Sequence, residues 1–362
     1  MQNYIINYWL LEESLLFSAP IRKNILNYYS DYNHIKWRHL LENWKDLMKS
    51  NVACPFSEKE LQDVRARMVD QLKHYTHENR SILTPYSQYF SNVLKNSHPK
   101  VNLIYAKGDV NLLNSKKVAI VGSRKPTAYG RKIAYDLGRY LAQQGITVVS
   151  GMALGIDAQS HKGALDGGGQ TIAVMPTDID TVYPKTNIAI YNRINSSANL
   201  ILSEYREQSE PKHYHFPLRN RIISGISDLV VIVEAGEKSG TLITAAHALD
   251  QGIPIVSVPG NITSELSKGT NRLIFDGALP LFNFELILEL LDVKPQIHKR
   301  LSVDLSESAR IVYEILLKRK KMTLNDLNFA TCLEYSEINA ALNELILEDL
   351  CDFVSLDEIE LT

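Results

Sequence analysis

The sequence predicts an α/β protein with a doubly wound, mostly parallel sheet, preceded by a helical domain and followed by a small mixed domain. Three observations predict it. Short apolar runs alternate with helical stretches between about residues 86 and 290, all 18 glycines lie between Gly108 and Gly277, and the charge balance changes from residue 301 onward. Glycine is used where loops turn tightly or where a ligand approaches the backbone. A chain of 362 residues is long enough for two or three domains.

Residues 1–85 contain no glycine and show helical periodicity, so they are predicted to form a helical N-terminal domain rich in tyrosine and tryptophan. One helix is expected to begin at Pro20 and another at Ser57, whose partner Glu60 completes a capping-box pattern. The apolar start of the chain lacks a basic region and soon meets Glu12, which indicates a packed helix and not a signal peptide. No apolar run approaches membrane-spanning length, so no membrane partner is expected.

Residues 86–290 are predicted to form the α/β domain. Six runs rich in valine and isoleucine indicate strands that are apolar on both faces, as in a covered parallel sheet. These runs are KVAIVG, ITVVSG, TIAVMP, LILSEY, DLVVIVEAG and IPIVSVPG. Helical stretches such as YGRKIAYDLGRYLAQQG and TLITAAHALDQG fall between them. This alternation is typical of a doubly wound sheet.

Residues 301–362 follow the predicted linker DVKPQIHKR and are predicted to form three short amphipathic helices and a β-wing, which indicates a winged-helix-like domain. This segment carries 5 Lys+Arg against 13 Asp+Glu, a balance of −8, whereas the first 300 residues carry 34 against 28, a balance of +6. The net charge of −2 therefore hides a mildly basic body. The presumed recognition helix carries Glu337, Glu344, Glu348 and Asp349, which repel phosphate. We expect this domain to have a structural or protein-contact role.

The cysteines and histidines predict neither disulfides nor a metal centre. Cys54, Cys332 and Cys351 form a sparse, odd set without a CxxC pair, which favours a reducing cytosol and predicts a cytoplasmic protein. The segment HYH at 213–215 offers alternating histidines, but no third ligand accompanies them.

Residues that suit an anion fall where the predicted strands end, and ligands of open α/β sheets bind beyond those ends. In VGSRKPTAYG, Gly122 and Ser123 turn the chain before a helix whose N-terminal N–H groups are expected to attract an anion. Arg124 adds a two-pronged donor suited to phosphate. On its own, this turn is equally well an ordinary βα turn with a solvated arginine. The spacing is not GxGxxG and no GxxxxGK[ST] loop is present, so neither a dinucleotide site nor a P-loop is predicted.

Other strand-end segments add to this pattern. VSGMALGIDAQSHKGAL packs small residues after a strand, and TVYPKTN places Lys185 in another strand-end loop. HYHFPLRNRIISGIS sets Phe216, Arg219 and Arg221 beside a helix start, where bases can stack on the ring while arginines hold phosphates. A phenylalanine next to a proline, such as Phe216 beside Pro217, is however more often a core residue than a stacking residue.

A last segment, EAGEKSGTLITA, offers Ser239, Gly240 and Thr241 at another helix N-terminus. Each segment alone is compatible with ordinary loop chemistry. The convergence of five of them at strand ends predicts a crevice that binds a polyanion.

These blocks resemble, nearly end to end over residues 101–280, the signature of the DNA-processing protein A (DprA/Smf) family. The resemblance implies a bacterial cytosolic protein whose extended Rossmann-like domain binds single-stranded DNA without a cofactor. It further implies a protein that helps to load the RecA recombinase during natural transformation and that self-associates, so a homodimer is expected. Base stacking falls on Phe216. The phosphate-holding roles fall on Gly122, Ser123, Arg124, Lys185, Arg219, Arg221 and the turn of Ser239, Gly240 and Thr241.

A competing hypothesis is an enzyme. Nucleoside-monophosphate phosphoribohydrolases resemble this chain in their glycine-rich strand ends, but they use a PGGxGTxxE-type motif whose glutamate supports glycosidic cleavage. The nearest stretch here starts at Gly240 and has Thr244 in place of that glutamate, and threonine cannot act as a general acid or base near neutral pH. His161 lies on a predicted helix and is expected to be a packing or hydrogen-bonding histidine, so no catalytic residue is predicted. Two further alternatives are a nucleotide sensor and a protein scaffold. The affinity of a DNA binder rises as the oligonucleotide becomes longer, whereas that of a nucleotide sensor does not.

Overall fold

The structure is a computed structural model of the chain, and its described residues fall into two compact units, Met1–Gln296 and Ile297–Thr362. The described residues are 2–13, 17–48, 54, 56–75, 79–196, 198–207, 212–295, 305–319, 321–331, 333–348, 350–355 and 358–361, apart from the side chains of Glu13, His74 and Lys318. Most of the predicted linker at 292–300 therefore lies outside the described residues.

The first unit begins with helices, as predicted. The backbone N–H of Ser57 donates to Glu60 Oε2 at 2.7 Å and the N–H of Glu60 donates to Ser57 Oγ at 3.2 Å, so the predicted capping box is confirmed. The predicted start at Pro20 is correct to within one residue, because proline occupies the first turn of the second helix. The helices are α1 (Gln2–Tyr8), a π-helical turn (Trp9–Glu13), α2 (Ala19–Tyr29), α3 (Trp37–Glu42), α4 (Trp44–Met48) and α5 (Glu58–Tyr75).

These helices share a core with the central sheet. Trp9 Nε1 donates to the hydroxyl of Tyr105 at 2.7 Å, and the ring of Tyr75 packs edge-on against Tyr105 at 5.3 Å between centroids. Their apolar side chains form one cluster with sheet residues such as Met175 and Ile201. The helical segment and the sheet therefore belong to one compact unit, Met1–Gln296, and the domain boundary near residue 85 stays a prediction.

A mostly parallel sheet of nine described strands forms the centre of the first unit, and the predicted fold class is confirmed. The strand order is β1-β2-β6-β5-β4-β3-β7-β8-β9, in which the pairs β1–β2 and β2–β6 are antiparallel and the others are parallel. Each of the six predicted apolar runs contains one strand. The strands are β1 (Arg80–Leu83), β2 (Ile104–Gly108), β3 (Lys117–Val121), β4 (Thr147–Ser150), β5 (Thr171–Met175), β6 (Leu200–Ser203), β7 (Leu229–Ile232), β8 (Ile255–Ser257) and β9 (Leu279–Pro280).

Helices cover both faces of this sheet, which explains why its strands are apolar on both sides. In β3, Val118 and Ile120 join one core cluster and Ala119 joins the other. The helices are α6 (Asn92–Lys95), α7 (Ala128–Gln143), α8 (Ile156–Asp166), α9 (Ile188–Asn195), α10 (His215–Ile226), α11 (Thr241–Asp250), α12 (Lys268–Phe275) and α13 (Glu285–Leu290). No helix in the described residues of either unit is long and apolar enough to cross a membrane.

The strand order also determines where a ligand-binding crevice is expected. From β3 the chain runs outward through β4, β5 and β6 on one side, and it then returns to β7 and continues through β8 and β9 on the other side. The order therefore reverses between β3 and β7. At such a switch point the loops after the two strands diverge and leave room for a ligand beyond their carboxyl ends.

The second unit contains three helices and a three-stranded antiparallel sheet in its described residues. The strand order is β10-β12-β11, and Leu316, Leu342 and Ile359 lie in its core. These elements match the predicted ones, and their assignment as a winged helix stays a prediction. Cys332 and Asp349 lie outside the described residues. The elements are α14 (Glu307–Arg319), β10 (Lys321–Thr323), α15 (Leu324–Thr331), α16 (Tyr335–Leu347), β11 (Cys351–Phe353) and β12 (Glu358–Leu361).

Helices α7 and α8 pack closely at two glycines, and this contact gives a stability test. A Cβ atom at Gly163 would overlap the carbonyl oxygen of Tyr135, and one at Gly138 would overlap that of Ser160. We expect Gly163→Ala to lower the free energy of unfolding by about 1–3 kcal/mol, because overpacking outweighs the better helix propensity of alanine, about 1 kcal/mol. Urea unfolding measures this.

The matched control is Arg139→Ala on the exposed side of α7, which should change the free energy of unfolding by less than about 0.5 kcal/mol. A Gly163→Ala protein as stable as the wild type would show that the two helices are not this close.

Candidate nucleic-acid interface

A cleft of about 670 Å³ lies at the switch point, beyond the carboxyl ends of β3 and β7. The turn after β3, the start of α10 and the turn before α11 line it. A ring, cations and two glycine-containing turns, distant in sequence, thus meet in one cavity. Eight of the ten residues predicted from sequence are among the lining residues: Gly122, Ser123, Arg124, Phe216, Arg219, Ser239, Gly240 and Thr241.

The turn after β3 rests on the start of α8. Its Ser123 carbonyl accepts a hydrogen bond from the Ile156 N–H at 3.2 Å, and its Ser123 Oγ accepts one from the Lys125 N–H at 3.1 Å. Gly155 lies behind the turn at φ +78°, and a Cβ there would overlap the Ser123 carbonyl oxygen. The turn is therefore held in place, while the Arg124 side chain is exposed with its guanidinium 5.5 Å from the Phe216 ring centroid.

The helix N-terminus expected to attract an anion at this turn is already occupied by a side chain of the protein. Helix α7 begins at Ala128, and the Thr127 N–H before it donates to Glu234 Oε2 at 3.0 Å. Thr127 Oγ1 also contacts the Glu234 carboxylate and accepts from the Gly130 N–H at 3.1 Å. The N–H groups of Thr127 and Gly130 at this helix end are therefore bonded inside the protein, and the expected anion contact at this end stays a prediction.

Arg219 lines the cleft but is only 4% exposed. Its Nη1 donates to the carbonyl oxygens of Gly151, at 2.6 Å, and Val174. An added Cβ at Gly151 would lie 2.5 Å from Arg219 Nη2 and 2.7 Å from Asp157 Oδ2, so both charged groups pack against this glycine. The sequence assigned Arg219 to a phosphate; the structure corrects this, because its guanidinium is engaged inside the protein.

Asp157 is the counter-charge of Arg219. Its Oδ2 accepts from the N–H groups of Gly151 at 3.1 Å and Ala153 at 3.4 Å. Burial raises the pKa of Asp157, while the Arg219 guanidinium and these two donors oppose the rise. Burial also lowers the pKa of Arg219 to about 10, against the opposing effect of Asp157, so the guanidinium stays charged near neutral pH. The pair joins the ends of β4 and β5 to α8 and α10.

Arg221 belongs to the interior, and its predicted contact with phosphate is wrong. It is 1% exposed, its Nη1 and Nη2 donate to the Glu204 carboxylate at 2.8 and 2.6 Å, and its Nε donates to the Pro99 carbonyl at 2.8 Å. Residues two apart on an α-helix point about 200° apart, so Arg219 and Arg221 cannot both face one cleft.

In the loop after β5, the structure brings a different side chain to the cleft than the one predicted. Lys185 is exposed at the start of a 3-10 turn (Lys185–Asn187) and is not a lining residue. Tyr183, which the sequence analysis missed, lines the cleft with its ring centroid 5.1 Å from that of Phe216. The TVYPKTN block indicated the loop, but the backbone path decides which side chain faces inward.

The turn before α11 is open toward the cleft. The Thr241 N–H donates to Ser239 Oγ at 3.2 Å, and Ser239 Oγ donates to Thr241 Oγ1 at 3.0 Å. An added Cβ at Gly240 would meet no atom within 4 Å. A phosphate can therefore approach this backbone without displacing protein atoms.

His161, the histidine considered as a catalytic candidate, is not accessible to a substrate. His161 is fully buried, its Nδ1 lies 2.7 Å from Thr171 Oγ1, and burial lowers its pKa to about 3, so it stays neutral. Within the described ranges, no group of three His, Cys, Asp or Glu side chains is arranged to hold a metal ion.

The family model described as DNA recombination-mediator protein A matches residues 81–292. The chain belongs to this family. The match runs from the first strands of the sheet through α13, so the whole cleft lies inside the part of the chain that identifies a DNA recombination-mediator protein A.

Relatives of known name support the same family. The DNA processing protein DprA of Bacillus subtilis is 39% identical over 54% of this chain and 66% of its own length. That of Streptococcus pneumoniae is 42% identical over 49% of this chain and 62% of its own length. The alignments thus span somewhat less than two thirds of these relatives.

Two solved structures of the DNA recombination-mediator protein A family are similar in fold. That of Streptococcus pneumoniae DprA has a TM-score of 0.63 and 31% identity, and the match covers 78% of this chain and 97% of that one. The second, described as showing the single-stranded DNA binding mode of DNA processing protein A from Helicobacter pylori, has a TM-score of 0.53 and 34% identity, and the match covers 60% of this chain and 99% of that one.

The buried pair of Arg221 and Glu204 separates structural from functional arginines in this family member. We expect Arg221→Gln to lower the free energy of unfolding by about 3–5 kcal/mol, because it leaves the Glu204 carboxylate without its buried partner. Arg124→Gln, at an exposed position, should change it by less than about 0.5 kcal/mol. Chemical unfolding measures both. If the Arg221→Gln protein were as stable as the wild type but bound DNA more weakly, Arg221 would contact phosphate as the sequence predicted.

Proposed function

We propose that this protein binds single-stranded DNA in the cleft at the switch point of its sheet. The observation that carries the proposal is the composition of that cleft, in which two glycine-containing turns and Arg124 surround the rings of Phe216 and Tyr183. Backbone N–H groups and a guanidinium suit phosphates, and rings suit bases of any identity. The Helicobacter pylori relative, whose structure is described by its single-stranded DNA binding mode, supports this assignment.

The proposed contacts depend little on the base sequence of the bound DNA. Phosphate contacts fix the register of a strand but carry no sequence information, and ring stacking tolerates every base. Gly122, Ser123, Arg124 and the Ser239–Thr241 turn are the proposed phosphate contacts, with Lys185 as a candidate just outside the cleft. Phe216 is the proposed stacking residue. Arg219 holds the strand ends beneath the cleft through the Gly151 and Val174 carbonyls and is not part of the proposed DNA contact.

We also propose that the bound strand is delivered to the RecA recombinase during natural transformation, as the family resemblance implies. The description of the family as a recombination mediator supports this step. Its test is the rate of RecA filament formation on single-stranded DNA coated with a single-strand-binding protein. An unchanged rate in the presence of this protein would remove RecA from the proposal.

Self-association as a homodimer is a further part of the proposal. Ile262, Phe275, Leu279 and Phe282 expose large apolar side chains in the segments around β8 and β9, and β9 is an edge strand of the described sheet. Exposed apolar surface of this kind marks interfaces. Sedimentation equilibrium at micromolar concentration tests it, and a purely monomeric chain would contradict it.

We propose that the cleft binds without catalysing a reaction and that the protein works in the cytoplasm. Thr244 stands where the competing phosphoribohydrolase hypothesis needs a glutamate, and Glu234 and His161 are engaged internally. The free thiols of Cys54 and Cys351 support a reducing compartment. Release of free base from a nucleoside monophosphate, abolished by a cleft substitution, would contradict the first point. Cell fractionation tests the second.

The experiment that tests the proposed function is a titration with single-stranded and double-stranded oligonucleotides of equal length, together with a length series and a mononucleotide. We expect tighter binding of the single strand and an affinity that rises with its length. Equal or tighter binding of the duplex would contradict the proposal, and an affinity independent of length would favour a nucleotide sensor.

Substitutions at Arg124 and Phe216 should affect the salt dependence of binding differently. Arg124→Ala removes a phosphate contact, so the slope of log affinity against log salt should flatten by about 0.7. Phe216→Ala removes a stacking contact of about 1–3 kcal/mol that releases no counterion, so affinity should fall while the slope is unchanged.

The control for this pair is Lys132→Ala, an exposed cation on α7 that does not line the cleft. It should leave the slope within error of the wild type. Arg124→Ala with a wild-type slope would show that the proposed phosphate site is elsewhere.

A further inference from the structure

Two six-membered aromatic rings, those of Tyr183 and Phe216, line the cleft. Their centroids are 5.1 Å apart and their planes are inclined by 69°. Phe216 is half-buried, and the Arg124 guanidinium lies over its ring. Tyr183 is 45% exposed. The more accessible ring in the cleft is therefore the tyrosine, to which the sequence assigned no role.

The surroundings of Tyr183 are unlike those of a structural tyrosine. Within the described residues its hydroxyl makes no hydrogen bond, and the ring belongs to none of the hydrophobic core clusters of the first unit. The preceding side chain, that of Val182, packs against the hydrophobic core, whereas the Tyr183 ring does not. The exposed ring of Tyr183 is thus available to a ligand.

The loop that carries Tyr183 is held on both sides. Asp178 accepts hydrogen bonds from the N–H and the hydroxyl of Thr181, each at 2.8 Å. After the tyrosine, Asn187 Nδ2 donates to the Met152 carbonyl at 2.8 Å. Because the loop is fixed before a ligand arrives, stacking on this ring loses little conformational entropy.

We propose that Tyr183 is a second base-stacking residue and that the cleft takes two neighbouring bases of a single strand, one on each ring. The inference rests on the proposed function. In a duplex, neighbouring bases stay parallel and about 3.4 Å apart along each strand. Two rings inclined by 69° cannot receive two bases in that arrangement. The pair of rings therefore selects a strand whose bases are free to separate.

The alternative role for Tyr183 is support of the Phe216 ring by edge contact, without touching DNA. Leucine and phenylalanine substitutions distinguish the two roles. Tyr183→Leu keeps apolar bulk beside Phe216 but removes the flat π-face, whereas Tyr183→Phe keeps the ring and loses only a hydroxyl that has no partner. Stacking needs the flat face, and support needs only the bulk.

The test measures the affinity of the full chain for an oligothymidylate of about six nucleotides, with 2-aminopurine placed at each position in turn. With the wild type, we expect the fluorescence to change at two neighbouring positions. Tyr183→Ala should abolish the change at one of them and Phe216→Ala the change at the other. Tyr183→Ala and Tyr183→Leu should weaken binding by about 5- to 150-fold, while Tyr183→Phe should bind like the wild type.

Tyr28→Ala is the matched control, because this tyrosine is exposed on α2 and does not line the cleft. Thermal unfolding of every variant checks the fold, and the leucine and phenylalanine variants decide the question if the alanine variant is unstable. Wild-type affinity of Tyr183→Leu, or retention of both fluorescence changes by a folded Tyr183→Ala, would overturn the inference while leaving the proposed function in place. Failure of the wild type to bind the oligonucleotide would instead contradict the proposed function itself.

Discussion

The cleft depends on two buried, oppositely charged side chains, Arg219 and Asp157, and on the hydrogen bonds that they make to backbone groups. From α10, the Arg219 guanidinium donates to the carbonyl oxygens at the ends of β4 and β5. Asp157, at the start of α8, accepts from the N–H groups of Gly151 and Ala153 in the loop after β4. The residue before Asp157 in the chain, Ile156, donates its N–H to the Ser123 carbonyl of the turn after β3. The hydrogen bonds of these two buried, oppositely charged side chains therefore fix the helix that carries Phe216 and the turn that carries Arg124 relative to the same strand ends.

This arrangement divides the charged groups of the site into two sets. Arg219, Arg221 and Glu234 are buried and hydrogen-bonded to other groups of the protein. Arg124 and Lys125 are exposed at the cleft. Only the second set can exchange water and counterions for a phosphate, so the DNA contacts are expected to depend on few cations, supplemented by backbone turns and rings.

Much of this could be predicted from the sequence, because apolar runs, glycine turns and the Ser57–Glu60 capping box are local signals. The limits appear where the answer depends on partners distant in the chain. The type of residue identifies Arg221 as a cation, but only the fold brings Glu204 to it. The helix after Gly122 was predicted, but the carboxylate at its N-terminus comes from Glu234, 107 residues away from Thr127. In the same way, loop geometry and not composition turns Tyr183 into the cleft.

The most direct test of this account is a crystal structure of the complex with a short single-stranded oligonucleotide. The account predicts phosphates at the Gly122–Arg124 turn and at the Ser239–Thr241 turn, bases against the cleft rings, and Arg219 still bound to the Gly151 carbonyl beside Asp157. A strand bound elsewhere on the chain, or an Arg219 guanidinium that has left Gly151 to hold a phosphate, would contradict it.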